Sequence, residues 1–88
     1  MSITDAFFME YILIHEMVRV FDIYNGISKY KQYHELADKF PNKFNPLKKN
    51  DDKYYAEDFA YSIEYLFKDK FDINDKTIYL YKLLEYIN

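Results

Sequence analysis

Hydrophobic residues recur along this chain at helical intervals, and four segments carry the pattern. The first runs from about Asp5 to Tyr24, with Thr4 placed to cap its start. Asn25-Gly26 ends it, because glycine accepts the left-handed conformation that follows a helix. At 100° per residue, Ala6, Phe7, Leu13, Ile14, Met17, Val18, Val20, Phe21 and Tyr24 cover half the circumference or more, while Asp5, Glu16, Arg19 and Asp22 share the other side. Phe8, Ile12 and Ile23 intrude on that polar side. So wide an apolar arc predicts a helix central to a bundle, or one whose surplus residues Phe8, Ile12 and Ile23 form a subunit contact.

The second pattern covers Ser28 to Phe40, with Ser28 as cap and Pro41 unable to continue it. Tyr30, Tyr33, Leu36, Ala37 and Phe40 form its inward stripe, leaving Lys31, Gln32, Glu35, Asp38 and Lys39 solvated. Pro41 to about Asp51 reads as a connection that Phe44 and Leu47 pin to the core. A third helix is predicted from Asp51 or Asp52 to about Lys70, with Tyr55, Phe59, Ile63, Leu66 and Phe67 inward beside Ala56 and Ala60. Acids in its first turns and Lys68 and Lys70 at its end suit the helix dipole. The fourth begins at Asn74 or Asp75 with Leu80, Leu83, Leu84 and Ile87 inward, although Thr77 to Tyr81 is β-prone enough to suggest a short strand instead. The expected fold is all-α, a small bundle of about four helices in a single domain, residues 1–88.

Composition supports folding: 50% of the residues are hydrophobic and 22% aromatic, enough apolar surface to offset the ordering entropy. A core built from 88 residues is marginal, and with no cysteine to cross-link it, added stability from a partner or a second copy is expected. The longest apolar runs, Ala6 to Met9 and Tyr11 to Ile14, fall far short of the roughly 20 residues that cross a bilayer. Met1 to Asp5 lacks the basic start of a secretory signal, so a cytoplasmic protein is expected. Lys supplies eleven of the twelve cations, and Asn, Ile, Tyr and Phe are abundant, a codon bias of AT-rich genomes such as low-GC bacteria and their phages.

The candidates for chemistry fail one by one. Gly26 is the sole glycine and stands at a helix end, which leaves nothing to cradle a phosphate. His15 and His34 form no HExxH pair and are expected to be partly exposed, so no metal site is predicted. Asp69, Asp72, Asn74 and Asp75 resemble a calcium loop, but from Asp72 its sixth and twelfth positions are Thr77 and Leu83, and helix capping accounts for the cluster better. Ser2, Ser28 and Ser62 sit in no nucleophile motif. No enzyme and no cofactor is expected. Glu10 lies within the apolar arc of the first helix, where a bare carboxylate needs a Lys or Tyr donor or an escape to solvent.

Two surfaces remain as binding candidates. On the third helix Tyr54, Asp58, Tyr61 and Tyr65 align opposite the core stripe, flanked by Glu57, Glu64 and Lys68. An acidic, tyrosine-rich face suits the basic surface of a larger protein, with Tyr54, Asp58, Tyr61, Glu64 and Tyr65 as the partner-binding residues. The same row would be covered by a neighbouring helix in a crowded bundle. The rival surface is residues 29–53, where seven Lys stand among Tyr30, Tyr33 and Phe44 as in a nucleic-acid groove, against four acids there and a whole-chain charge of −3. The expected function is a small acidic protein-binding module, an inhibitor or immunity-type protein covering a functional surface of a larger protein, such as a phage-encoded inhibitor of a host defence nuclease. A homodimeric structural or regulatory protein and a nucleic-acid binder are the alternatives.

Overall fold

A computed structural model describes the backbone of residues 3–67 and 72–87, and the side chains of residues 14–67 and 72–85. It contains α1 (Ile3–Asn25), a 3-10 turn (Ile27–Lys29), α2 (Lys31–Lys39), α3 (Tyr54–Leu66) and α4 (Asp75–Ile87), with no strand among the described residues. The architecture is the expected all-α small bundle.

Local chemistry sets the boundaries. Gly26 takes φ 66°, and its N–H closes α1 on the Asp22 carbonyl at 2.6 Å. The Asp22 carboxylate then accepts the Ser28 N–H at 2.7 Å and the Ser28 hydroxyl at 2.5 Å. Asp22, expected on the solvated side, is therefore buried, because it holds the turn that follows the helix. Ser28 is spent on that turn and does not cap α2, which starts at Lys31 behind an extended Tyr30.

The connection to α3 folds on its own side chains. Asn42, Asn45 and Asp51 accept the N–H groups of Phe44, Leu47 and Lys53 at 2.9, 3.1 and 2.9 Å, a succession of Asx turns. These turns occupy Asp51 to Lys53 and delay α3 to Tyr54. The predicted end of that helix at Lys70 lies outside the described residues. At α4 the Asn74 side chain accepts the Thr77 N–H at 3.0 Å while the Thr77 hydroxyl accepts the Asn74 N–H at 2.8 Å. This reciprocal cap commits residues 77–81 to helix against their β propensity.

The core gathers Ile27, Tyr33, Ala37, Phe59, Ala60, Ile63, Leu66 and Leu80, with Val18, Phe21, Tyr55, Tyr79, Leu83 and Leu84 packed around it. Tyr30 and Phe67, expected inward, are exposed. α1 lies antiparallel on α3, His15 reaching Glu64 and Arg19 reaching Glu57. It is not enclosed by the bundle: Val18 and Phe21 face the core, whereas Met17 (69% exposed), Val20 (51%), Ile23 (78%) and Tyr24 (85%) face away from it. At 1.5 Å per residue α1 is roughly 34 Å long and α3 roughly 20 Å, which accounts for a molecule of 42 × 28 × 25 Å.

Candidate functional site

The α3 face proposed from the sequence is not a single surface in the structure. Asp58 is fully buried, and this corrects its assignment as a partner-binding residue. Its Oδ1 lies 2.7 Å from the Lys76 Nζ and accepts the Tyr33 hydroxyl at 2.5 Å, while Oδ2 accepts the Asn42 N–H at 2.9 Å. Tyr61 and Glu64 are partly covered by α1: the His15 ring stands edge-on to Tyr61 at 4.7 Å, and its Nδ1 is 3.1 Å from a Glu64 oxygen. Tyr54 stands edge-on to Tyr55 at 5.2 Å, and Tyr65 tilts against Phe44 at 5.9 Å. Asp58, Tyr61, Glu64 and Tyr65 are thus divided among neighbouring elements, while Tyr54 packs on Tyr55 of its own helix.

The Asp58–Lys76 pair is the centre of a buried polar network. Lys76, the second residue of α4, is 3% exposed and also donates to the Phe40 carbonyl at 2.7 Å. Its Nζ stands 6.0 Å from the centre of the Tyr33 ring. Burial pushes the Lys76 amine below the ordinary lysine range, opposed by the Asp58 carboxylate. Burial pushes the Tyr33 hydroxyl well above its ordinary value of 10.0, and the Asp58 charge adds to the shift. One ammonium therefore fastens the start of α4 to the end of α2 and the middle of α3. Periodicity carries a trace of this: Lys76 precedes Leu80 by four residues and Leu83 by seven, which puts it on the inward stripe.

Beside this network a cleft of about 250 Å³ opens between the 40–44 segment, α3 and the start of α4. Phe40, Phe44, Tyr65 and Leu80 form its apolar walls, and Ser62 and Lys76 its polar side. The Ser62 hydroxyl is 3.4 Å from the Asn42 amide nitrogen and 3.5 Å from Asp58, and no imidazole lines the cleft. His34 is engaged elsewhere, stacked on Tyr55 at 3.7 Å with Nε2 2.7 Å from the Ser28 carbonyl. His15 bridges Glu64 and, at 3.5 Å, Glu57. Among the described residues no group of three or more His, Asp and Glu side chains is arranged to hold a metal ion.

Among the described residues large apolar side chains are exposed at several places, Tyr30, Phe67 and Ile73 among them, and four of them lie together on α1. Met17, Val20 and Tyr24 follow at intervals of three and four residues and share one outer face with Ile23. Glu16, four residues before Val20 and seven before Ile23, lies on the same face and pairs with Arg19 at 3.6 Å. Of the predicted subunit-contact residues Ile23 belongs to this face, while the side chains of Phe8 and Ile12, like that of Glu10, lie outside those described. The sequence placed Met17, Val20 and Tyr24 in the core arc. A helix apolar around most of its circumference does not reveal which side turns inward, and here the choice goes to the side carrying Val18, Phe21 and Asp22.

No protein-family model, no curated protein and no solved structure matches this chain. Among the described residues no helix is long and apolar enough to cross a membrane.

Proposed function

We propose that the chain is a small acidic protein-binding module whose docking element is the outer face of α1, acting as an inhibitor or immunity-type protein that covers a functional surface of a larger protein. One observation supports this reading above the others: four large apolar side chains, each half or more exposed, lie together on one face of a helix. Patches of this kind, bordered by polar residues, mark contact surfaces. Met17 adapts to a partner's shape, and Tyr24 offers a large ring with a polar tip. A net charge of −3 favours a partner with a basic surface around the apolar contact.

The proposal moves the contact from α3 to α1, since Asp58 is interior and Tyr61 and Glu64 face His15. A nucleic-acid role for residues 29–53 has less support: Tyr33 is in the core and unable to stack on a base, and Lys49 lies 2.9 Å from Asp38. The test compares two double variants of the immobilised protein, Met17→Lys with Tyr24→Lys on α1, and Tyr54→Ala with Tyr65→Ala on α3. Loss of protein capture in the first and its retention in the second is the expected result. The reverse pattern removes α1 from the function.

A further inference from the structure

Asn25 and Gly26 close α1, and the pair carries a chemistry of its own. A backbone nitrogen can attack the side-chain amide of the asparagine before it, and the residue that supplies the nitrogen decides how easily. The other internal asparagines precede Lys43, Pro46, Asp51 and Asp75, whose side chains crowd the approach or, in proline, replace the N–H. Asn25 precedes the sole glycine of the chain, which has no Cβ, and nothing lies within 4 Å of where one would stand. Asn25 is exposed, so water reaches it. We propose that Asn25 is a site of spontaneous modification, converted to aspartate or isoaspartate through the Gly26 nitrogen, and that the turn built on Asp22 and Ser28 sets the rate. This goes beyond the docking role given to α1 and does not depend on it.

The step balances with water alone. The Gly26 nitrogen gives its proton to hydroxide and bonds to the Asn25 Cγ, the Cγ–Nδ2 bond breaks, and ammonia leaves with a proton taken from water. The product is a cyclic imide, and water then adds to one of its carbonyls. Opening at Cγ leaves aspartate. Opening at the main-chain carbon of residue 25 leaves isoaspartate, whose backbone runs through the former side chain and is longer by a methylene. In the folded chain both reactants are held back: the Gly26 N–H is donated to the Asp22 carbonyl at 2.6 Å, and the Asn25 Nδ2 to the Phe21 carbonyl at 2.9 Å. The buried Asp22 carboxylate fixes the same turn from the other side by accepting the Ser28 N–H and hydroxyl. Reaction therefore waits for the last turn of α1 to open, and helix ends open at lower free energy than the whole fold. Either product adds a negative charge at the C-terminal end of α1, where the helix dipole opposes it, next to the exposed Tyr24. The longer isoaspartate backbone also shifts Gly26 and Ser28 against Asp22, and with them Ile27, a core residue. The joint between α1 and α2 loosens as the molecule ages.

The test incubates the full chain at neutral pH, folded and in guanidinium chloride, and follows by peptide mass spectrometry the gain that exchange of an amide for a carboxylate brings. Asn25 is expected to convert before any other asparagine in denaturant, and more slowly in the folded chain by about tenfold or more, the protection that a closed turn gives. Gly26→Ala, compared in denaturant where its folded stability has no bearing, is expected to slow the conversion. Ser28→Ala removes one hydrogen bond from the turn and is expected to speed conversion of the folded chain while leaving the denatured rate unchanged. The folded rate is expected to stay flat at low denaturant, since a local opening exposes little surface. Earlier conversion of another asparagine, or a Gly26→Ala chain that converts as fast as the native one, removes Asn25 as the site. Equal rates in the folded and denatured chains, or no effect of Ser28→Ala, remove the turn as the gate. A folded rate that climbs steeply from the lowest denaturant concentrations places the opening in global unfolding and overturns the gate as well.

Discussion

Inside the molecule the Asp58 carboxylate meets four donors, and each tests a different part of the physics. Removing one partner of a buried ion pair leaves the other without compensation, which costs about 3–5 kcal/mol, whereas replacing both with apolar groups of similar volume is close to neutral. Asp58→Asn and Lys76→Met are therefore each expected to lower the unfolding free energy by about 3–5 kcal/mol, and Asp58→Leu combined with Lys76→Met to recover most of the loss. Urea titrations of the three variants decide it, and single losses under about 1 kcal/mol would mean that the pair is hydrated in solution. Tyr33 gives a pH dependence. Its hydroxyl titrates above 10.0 in the folded chain because burial and the Asp58 charge oppose the phenolate. Between that ordinary value and the higher folded one, the unfolded chain holds fewer protons, so stability falls as pH rises above 10. Tyr54, Tyr55 and Tyr79 are shifted upward by burial as well and act in the same sense. If the Tyr33 phenol is its main source, Tyr33→Phe is expected to flatten the decline of the urea midpoint between about pH 10 and 12. An unchanged slope would assign the decline to the other tyrosines.

The helices owe their ends to a few positions. Gly26 carries a φ of 66° with nothing within 4 Å of where a Cβ would stand, so Gly26→Ala meets only backbone strain. The expected cost is about 1–2 kcal/mol, read from the thermal or urea midpoint. Asn74→Ala removes the acceptor for the Thr77 N–H and is expected to cost about 1 kcal/mol, with the loss confined to α4 in amide exchange. The sequence pattern was legible here because Gly26, Pro41 and the Asn74 cluster are local signals. Periodicity found four helices for the same reason. It misplaced the start of α2 because Ser28, a good cap by type, is bound by Asp22, six residues earlier. It misjudged Asp58 because an acid among tyrosines reads as a surface residue until a cation from another helix neutralises it. That cation, Lys76, lies eighteen residues away in the sequence, and no local rule pairs the two.

On the scale of the whole molecule, the bundle covers one side of α1 over residues 14–25 and leaves the other, with Met17, Val20, Ile23 and Tyr24, exposed. If a second copy closes it, the melting temperature of the native sequence rises with protein concentration, while that of Met17→Lys with Tyr24→Lys does not. Scanning calorimetry at concentrations a hundredfold apart distinguishes the two. The sequence signalled surplus apolar surface on this helix and named Ile23 correctly as outward. It lacked the arc, because the inward side is chosen by what α3 offers to it: His15 finds Glu57 and Glu64 there, and Arg19 finds Glu57.

The fastening of α4 by Lys76 has a consequence for the birth of the protein. Until that residue has been synthesised, Asp58, Tyr33 and the Phe40 carbonyl wait for a cation that arrives with the last quarter of the chain. A product halted before residue 76 lacks the ammonium that meets the Asp58 carboxylate and nearly all of α4. A chain cut short before residue 76 is expected to be digested by added protease faster than the full chain, a difference that limited proteolysis measures.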